Sequence, residues 1–496
     1  MLVDNNIDSP VILSQRKRLS FLFKDSVIYG GAAAVSKAFA LITFPLLARH
    51  FSVEDYGVLD YFMVLGSLLS IFFIFGQDSA VARFFYEHED TTARRQLISQ
   101  SVTFQLAGLV LLLPLIWLGA DWFTSLLIAT TNSSLLFKIV LLQLPFLLFI
   151  NFSQNLLKWT FARSQFLTMS LGFTVVQTLL LLIAVLVFDS GIKVVLLVSL
   201  ITCMVFGLLG LFFVRQWLTR PHDFQYLRLM LPFAVPYGII SVAGAFSPAL
   251  ERTLTHYLLG ADDLGLYAAA FKIAMLIGMI VSAFQTAWGP FSLSLYKQVD
   301  AGETYNWVFK LFALCMCVAV LVISLLAQPL IQFLATDRYS DSVIVVFPLA
   351  MGLVIQATSW ITEIGIGISK RSYLYLYAYS VSVVTTFAGI WFLAPIYGLV
   401  GVGIGVMMGH IIKAIISSWL AQRAYRLSWN YMPVIIIMIT TLVIGLAATW
   451  IGHEFGDNAK VMALLVGLLS IVAMGWGLLL NNSDRRRVIT AIQNRS

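Results

Sequence analysis

The stretch YLRLMLPFAVPYGIISVAGAFSPALERTLTHYLLGADDLG, Tyr226 to Gly265, carries the reading of the whole chain. Arg228 marks a membrane edge, and Pro232 and Pro236 are expected to break the helical pattern. About 20 mostly apolar residues follow, enough to cross a bilayer. Inside that span stand two adjacent charges, Glu251-Arg252. An ionisable pair in hydrocarbon is costly unless it faces protein or water, so it marks a functional position.

Composition agrees with a membrane setting. The 496 residues are 60% hydrophobic and 11% charged, with a mean hydropathy of +0.90. A soluble domain carries roughly a quarter charged residues. Outward from 226–265, the apolar runs predict fourteen helices, near 25–48, 60–84, 98–118, 136–157, 170–188, 194–214, 233–256, 265–291, 305–327, 343–368, 374–394, 396–420, 432–451 and 461–481. Backbone groups in lipid must bond internally, so helices are the reading consistent with these lengths. No polar stretch is long enough for a soluble catalytic domain, and no Walker-type phosphate loop is present. Neither a catalytic residue nor a metal site is expected. Cys315 and Cys317 point to different helix faces, and Cys203 lies in another apolar run.

The basic residues orient the chain. With both termini cytoplasmic, 21 of the 31 Lys and Arg fall inside, 4 outside and 6 within or at the edges of helices. Such asymmetry is a strong orientation signal. It also accounts for the net charge of +7 without nucleic acid. The N-terminus has no apolar core before its basic cluster and reads as a cytoplasmic tail.

Ser52-Val53-Glu54-Asp55-Tyr56-Gly57 resembles Gly260-Ala261-Asp262-Asp263-Leu264-Gly265, 208 residues later. Both segments join two apolar helices on the outer side, so the repeat is parallel. The predicted organisation is a tail (1–24), an N-lobe of helices 1–6 (25–214), a cytoplasmic linker (215–232) and a C-lobe of helices 7–12 (233–420). Helices 13–14 (421–481) and a second cytoplasmic tail (482–496) complete it. The fold class is therefore all-α and polytopic, two six-helix lobes plus two C-terminal helices.

Four ordered stretches carry a family resemblance. They are Leu46-Leu47-Ala48-Arg49 with Val53-Glu54-Asp55-Tyr56-Gly57; Gly76-Gln77-Asp78-Ser79-Ala80-Val81-Ala82-Arg83-Phe84-Phe85-Tyr86; Leu231-Pro232 and Pro236 with the later charge pair; and Gly265-Leu266-Tyr267 leading to Ala287-Trp288-Gly289-Pro290-Phe291. Together they cover about the first 300 residues. The set resembles the polysaccharide-transport branch of the multidrug/oligosaccharidyl-lipid/polysaccharide flippase superfamily, which contains O-antigen flippases. That family often shows Asp-Arg where this chain has Glu251-Arg252, and the charge signs are kept.

The resemblance implies two lobes around a central cavity and a cargo of oligosaccharide on polyprenyl diphosphate. It also implies transport by alternating access across the bacterial inner membrane. The lipid bilayer is a partner, as are polymerase and chain-length proteins of the same pathway. No cofactor is expected, and coupling to proton, sodium ion or membrane potential is open. A diphosphate calls for cations in a wet cavity.

The candidate cations are Lys37, Arg49, Arg83, Arg252, Lys272 and Lys413. Lys37 is too deep to snorkel: it lines the central site or pairs with Asp78 or Glu363. Arg252 contacts cargo near the outer gate, or bonds locally to Glu251 or to carbonyls near Pro248. Lys272 lies about two turns into helix 8. Arg49 and Arg83 sit at helix ends, where reaching lipid phosphates is cheap. Lys413 shares a helix face with His410 and either lines the cavity or snorkels to the cytoplasmic surface. Asp78, Glu251 and Glu363 each bind a coupling ion or neutralise a nearby base, and His410 titrates near neutrality in water. Tyr373, Tyr375, Tyr377 and Tyr379 read as an interface belt.

Two other functions compete. A multidrug or other small-molecule exporter of the same superfamily commonly uses acids for cationic cargo, whereas these deep positions are weighted towards Lys and Arg. A membrane-embedded glycan polymerase or ligase is expected to carry a large polar loop, which this chain lacks. Helices 13–14 either form a groove for the polyprenyl tail or simply pack.

Overall fold

The computed structural model describes residues 31–32, 35–36, 39, 42–88, 90–127, 133–188, 191–295, 301–369, 371 and 373–479. Among the described residues the structure is entirely helical. Residues 42–50 (α1) form the end of the first helix, half of whose expected span lies outside the described residues. Next come α2 (Val53–Ile74), α3 (Gln77–Phe85), α4 (Thr91–Leu118), α5 (Ala120–Leu127) and α6 (Ser133–Trp159). A short α7 (Arg163–Leu167) runs through a wider turn into α8 (Phe173–Leu186), and α9 (Ile192–Val214) closes the first half. The second half holds α10 (Gln225–Leu259), α11 (Ala261–Leu295), α12 (Ala301–Leu334), α13 (Val343–Thr362), α14 (Ile364–Ser369) and α15 (Tyr373–Ala424). The chain then forms α16 (Tyr431–Phe455) and α17 (Asp457–Met474).

Twelve of the described helices are long and apolar enough to cross a membrane. One of them, α15, is two helices joined where Gly398 takes φ 57 and ψ −137, so it crosses twice. The resulting thirteen, preceded by the helix that ends at residue 50, agree with the expected fourteen. Large apolar side chains such as Leu118 and Leu469 stand exposed on the outside, where hydrocarbon covers them. This is a multi-pass membrane protein.

Several boundaries differ from expectation, and two of the differences bear on the seam between the halves. The predicted helix 60–84 starts earlier, at Val53, and breaks at Phe75 and Gly76, both left-handed, into α2 and α3. Pro232 and Pro236 were expected to break the seventh helix, yet α10 begins at Gln225 and runs through Pro232, Pro236 and Pro248. Neighbouring helices can re-satisfy the groups that proline frees inside a membrane bundle. The linker is accordingly shorter, and α4 binds it tightly. Gln96 exchanges bonds with Arg220 O and His222 N, Ser99 Oγ accepts from Thr219 N, and Gln100 Oε1 accepts from Leu227 N.

In the first half α6 packs chiefly on α9 and α2. In the second, α13 and α10 pack on α15. The halves meet along α2, which lies against α10 and α11, while α3 lies against α10. The α16–α17 hairpin leans on α12. Two close backbone contacts hold this seam. A Cβ on Gly57 would lie 2.5 Å from Gly265 N, and one on Gly76 would lie 2.5 Å from Gly238 N. Residues 57 and 76 are about 28 Å apart along a helix, close to the thickness of a bilayer core.

Candidate functional site

The charges of the seventh helix find their partners across the seam. Arg252, 1% exposed, donates from Nε to Asp60 Oδ2 of α2 at 2.7 Å. Its Nη1 donates to Pro248 O at 3.1 Å, and its guanidinium faces the Phe271 ring at 4.9 Å. Lys272 of α11 brings its ammonium to 3.2 Å from Asp60 Oδ1. One carboxylate from the first half thus binds two cations from the second. Asp60 is buried at 3% exposure, whereas Lys272 remains 36% exposed.

Glu251 does not bond to its neighbour Arg252. Consecutive helical residues point about 100° apart, so Glu251 turns to accept from Ser247 Oγ at 2.9 Å and from Tyr267 OH at 2.6 Å. Tyr61 of α2 meets Thr253 Oγ1 at 3.0 Å on the same seam. Four formal charges, two of each sign, therefore share this region.

A second buried pair lies within the second half. Lys413 Nζ stands 2.8 Å from Glu363 Oε1, both nearly inaccessible, and Ser359 Oγ donates to the same oxygen. Tyr379 offers its ring face to Lys413 at 4.8 Å, and Tyr375 OH donates to Glu363 O. Lys413 therefore does not snorkel. The tyrosine run also divides, with Tyr373 and Tyr377 exposed and Tyr375 and Tyr379 turned towards the ion pair. The helical period separates them. His410 packs against Gly352 of α13 with its Nδ1 unbonded.

The remaining predicted residues do not converge on these clusters. Arg83 is exposed, lies 3.7 Å from Glu87 and covers the Phe233 ring at 4.7 Å. Arg49, also exposed, donates to Phe333 O and accepts at its own carbonyl from Arg338. Asp78 accepts from Ser79 N and borders a small, mostly apolar cavity that Gln77, Gln105 and Asn155 also line. Lys37 lies outside the described residues, and Glu363, one of its suggested partners, is held by Lys413.

Two results revise the sequence reading. Asp60 was not anticipated as a site residue, although an acid two turns into an apolar helix was the available signal. The expected excess of deep positive charge is also absent among the described residues. Arg252, Lys272 and Lys413 stand against Asp60, Glu251 and Glu363.

Beside the second pair runs an apolar groove of about 400 Å³, lined by Phe309 of α12, Met351 and Ile355 of α13, Ile411 of α15, and Met438 and Ile439 of α16. Its wall shows almost no polar surface.

Several known proteins are similar. "Lipid II flippase MurJ, inward closed conformation" aligns with a TM-score of 0.71 over 92% of this chain and 100% of that one, at 13% identity. An inward-facing multidrug resistance MATE family transporter of the MOP superfamily aligns at 0.61 over 80% and 94%, at 16% identity. At such identities the likeness establishes the fold. "Lsg locus putative protein 1" of Haemophilus influenzae is 24% identical over 334 residues, 64% of this chain and 79% of that protein. A "Putative O-antigen transporter" of Shigella flexneri is 23% identical over 191 residues, 38% of this chain and 46% of that protein. The family model described as "Polysaccharide biosynthesis protein" matches residues 22–296, a span that contains Asp60, Glu251, Arg252 and Lys272. With more than half its length matched, the chain belongs to the polysaccharide biosynthesis protein family.

Proposed function

We propose that this protein is a flippase for an oligosaccharide carried on polyprenyl diphosphate, such as an O-antigen repeat unit. It moves this lipid from the cytoplasmic to the outer leaflet of a bacterial inner membrane by alternating access of two lobes, 25–214 and 233–420. Both termini face the cytoplasm, as the Lys and Arg asymmetry indicates. It works as a secondary transporter, driven by proton, sodium ion or membrane potential, beside the polymerase and chain-length proteins of the pathway.

The observation that carries this reading is the position of Lys272. Its ammonium is held by Asp60 on the seam between the halves, yet more than a third of its side chain remains accessible. A cargo phosphate can replace Asp60 as its partner, since Lys binds phosphate as a compact point charge. That exchange loosens one of the two ion pairs that Asp60 makes across the seam and links cargo binding to separation of the halves. The polyprenyl tail, meanwhile, fits the apolar groove along α16.

Complementation tests the proposal. A strain lacking its own flippase should regain surface glycan with this chain, while Lys272→Ala and Arg252→Ala at normal expression should not. Export by both alanine variants at the full rate would sink the cationic role. The balance of deep charges among the described residues supports a second reading, small-molecule export. Drug resistance without restored glycan would favour it.

A further inference from the structure

We propose that the first half contains a binding cavity for the neutral glycan of the cargo, distinct from the charged seam. The inference rests on the flippase reading and extends it to the sugar. Between α1, α2, α6, α8 and α9 lies a cavity of about 510 Å³. That volume falls within the range of small-molecule sites, about 300–1,000 Å³, and is far larger than an ion or a few waters need.

Its wall is largely apolar, and the polar side chains set into it are uncharged among the described residues. Ser67 and Ser70 come from α2, Gln143 and Asn151 from α6, and Thr174 and Gln177 from α8. Two of these carry atoms without a partner. Ser70 is 6% exposed with its Oγ unbonded, and Gln177 Oε1 is buried and unbonded. Buried polar atoms in a native fold are nearly always satisfied, so an orphan in a cavity wall points to a partner from outside the chain. Gln143 and Asn151 donate their amide nitrogens to Leu196 O and Leu147 O, which fixes both side chains in the wall. Rigid amides and hydroxyls without a charge match sugar hydroxyls and match a diphosphate poorly.

Position joins this cavity to the seam. Met63 lines it and is exposed, so the cavity opens there, and Met63 stands three residues beyond Asp60 on α2. A cargo whose phosphate meets Lys272 can therefore send its glycan into the first half. Gly66, on the same wall, packs against α6, with Val140 Cγ1 2.9 Å from where a Cβ would lie.

The test uses full-length protein in proteoliposomes and radiolabelled lipid-linked repeat unit from the protein's own host. One sample of this lipid is intact, and the other is trimmed to its first sugar. Ser70→Phe fills the cavity, while Gln177→Leu removes an acceptor with little change in volume. Both variants should slow the intact lipid, about tenfold for the loss of one or two good hydrogen bonds, and leave the trimmed one near the wild-type rate. Should Ser70→Phe fail to fold, Gln177→Leu decides alone. Wild-type rates on the intact lipid, or equal slowing of both lipids, would overturn the inference. Wild-type protein that moves neither lipid overturns the flippase reading, and this inference with it.

Discussion

Gly57 of α2 and Gly265 of α11, which the internal repeat places at equivalent positions 208 residues apart, touch backbone to backbone at one end of the seam. Equivalent residues of two related halves meet only near the axis that relates them. The turns before α2 and α11 therefore lie near that axis. At the other end of the seam Gly76 meets Gly238. The two contacts close the seam at both of its ends.

A side chain at either contact should act as a wedge. Gly265→Leu should expose the 57–265 end, and Gly238→Leu the opposite one. With the three native cysteines replaced, a cysteine placed at Val53 should react faster with an impermeant thiol reagent in the Gly265→Leu background, by about tenfold, equivalent to a 1.4 kcal/mol shift in the opening equilibrium. Gly238→Leu should slow that reaction. Identical rates in all three proteins would show that the glycine contact closes nothing.

Asp60 should matter more to stability than either of its partners' lengths would suggest. Asp60→Asn leaves Arg252 buried without a counter-charge, and breaking a buried pair in this way costs about 3–5 kcal/mol. Lys272→Met, at a partly exposed position, should cost less. Thermal unfolding in detergent ranks the two, and the double change Asp60→Asn with Arg252→Gln should recover part of the loss. If Lys272→Met proves the more damaging, the seam is not held through Asp60 and Arg252.

The Lys413–Glu363 pair allows a sharper separation of structure from coupling. Lys413→Met alone strands a buried carboxylate and should lower the unfolding temperature markedly. Lys413→Met with Glu363→Leu replaces the pair with apolar groups and should return close to wild type, as such exchanges often do. Transport by the double variant is then the informative measurement. Retained export removes Glu363 from the candidate coupling groups, whereas lost export in a stable protein keeps it there.

The groove against α16 makes a prediction about the lipid tail. A polyprenyl diphosphate with a photoreactive group on its tail should crosslink to Ile435, Met438 or Ile439. Ala414→Trp, which narrows the groove, should reduce this labelling several-fold, in line with the transfer free energy of a few buried methylenes, about 0.8 kcal/mol each. Labelling spread evenly over the lipid-facing helices would place the tail elsewhere.

Much of this arrangement was legible in residue order. The count of crossings and the repeat at Gly57 and Gly265 follow from apolar runs broken by short polar turns. Bilayer thickness imposes a length on each run, and the cost of an isolated charge in hydrocarbon singles out the exceptions. Helix ends were less legible. Pro232 and Pro236 look like breakers in isolation, and only the neighbours of α10 make them tolerable.

Of the partnerships, the local one was legible: Arg252 donates to Pro248 O, as its position suggested. The distant ones were not. Asp60 and Arg252 are 192 residues apart, as are Tyr61 and Thr253, and no spacing rule joins them. Glu251 and Arg252, neighbours in the chain, face different partners. Lys413 and Glu363 neutralise each other across two helices. Hydrophobic length and charge placement are local properties, so the sequence alone determined a two-lobed membrane bundle and the helices that bear ionisable groups. Which charges meet depends on the rotation and depth of each helix, and packing sets those. Only the tertiary structure decided that one carboxylate of the first half binds two cations of the second.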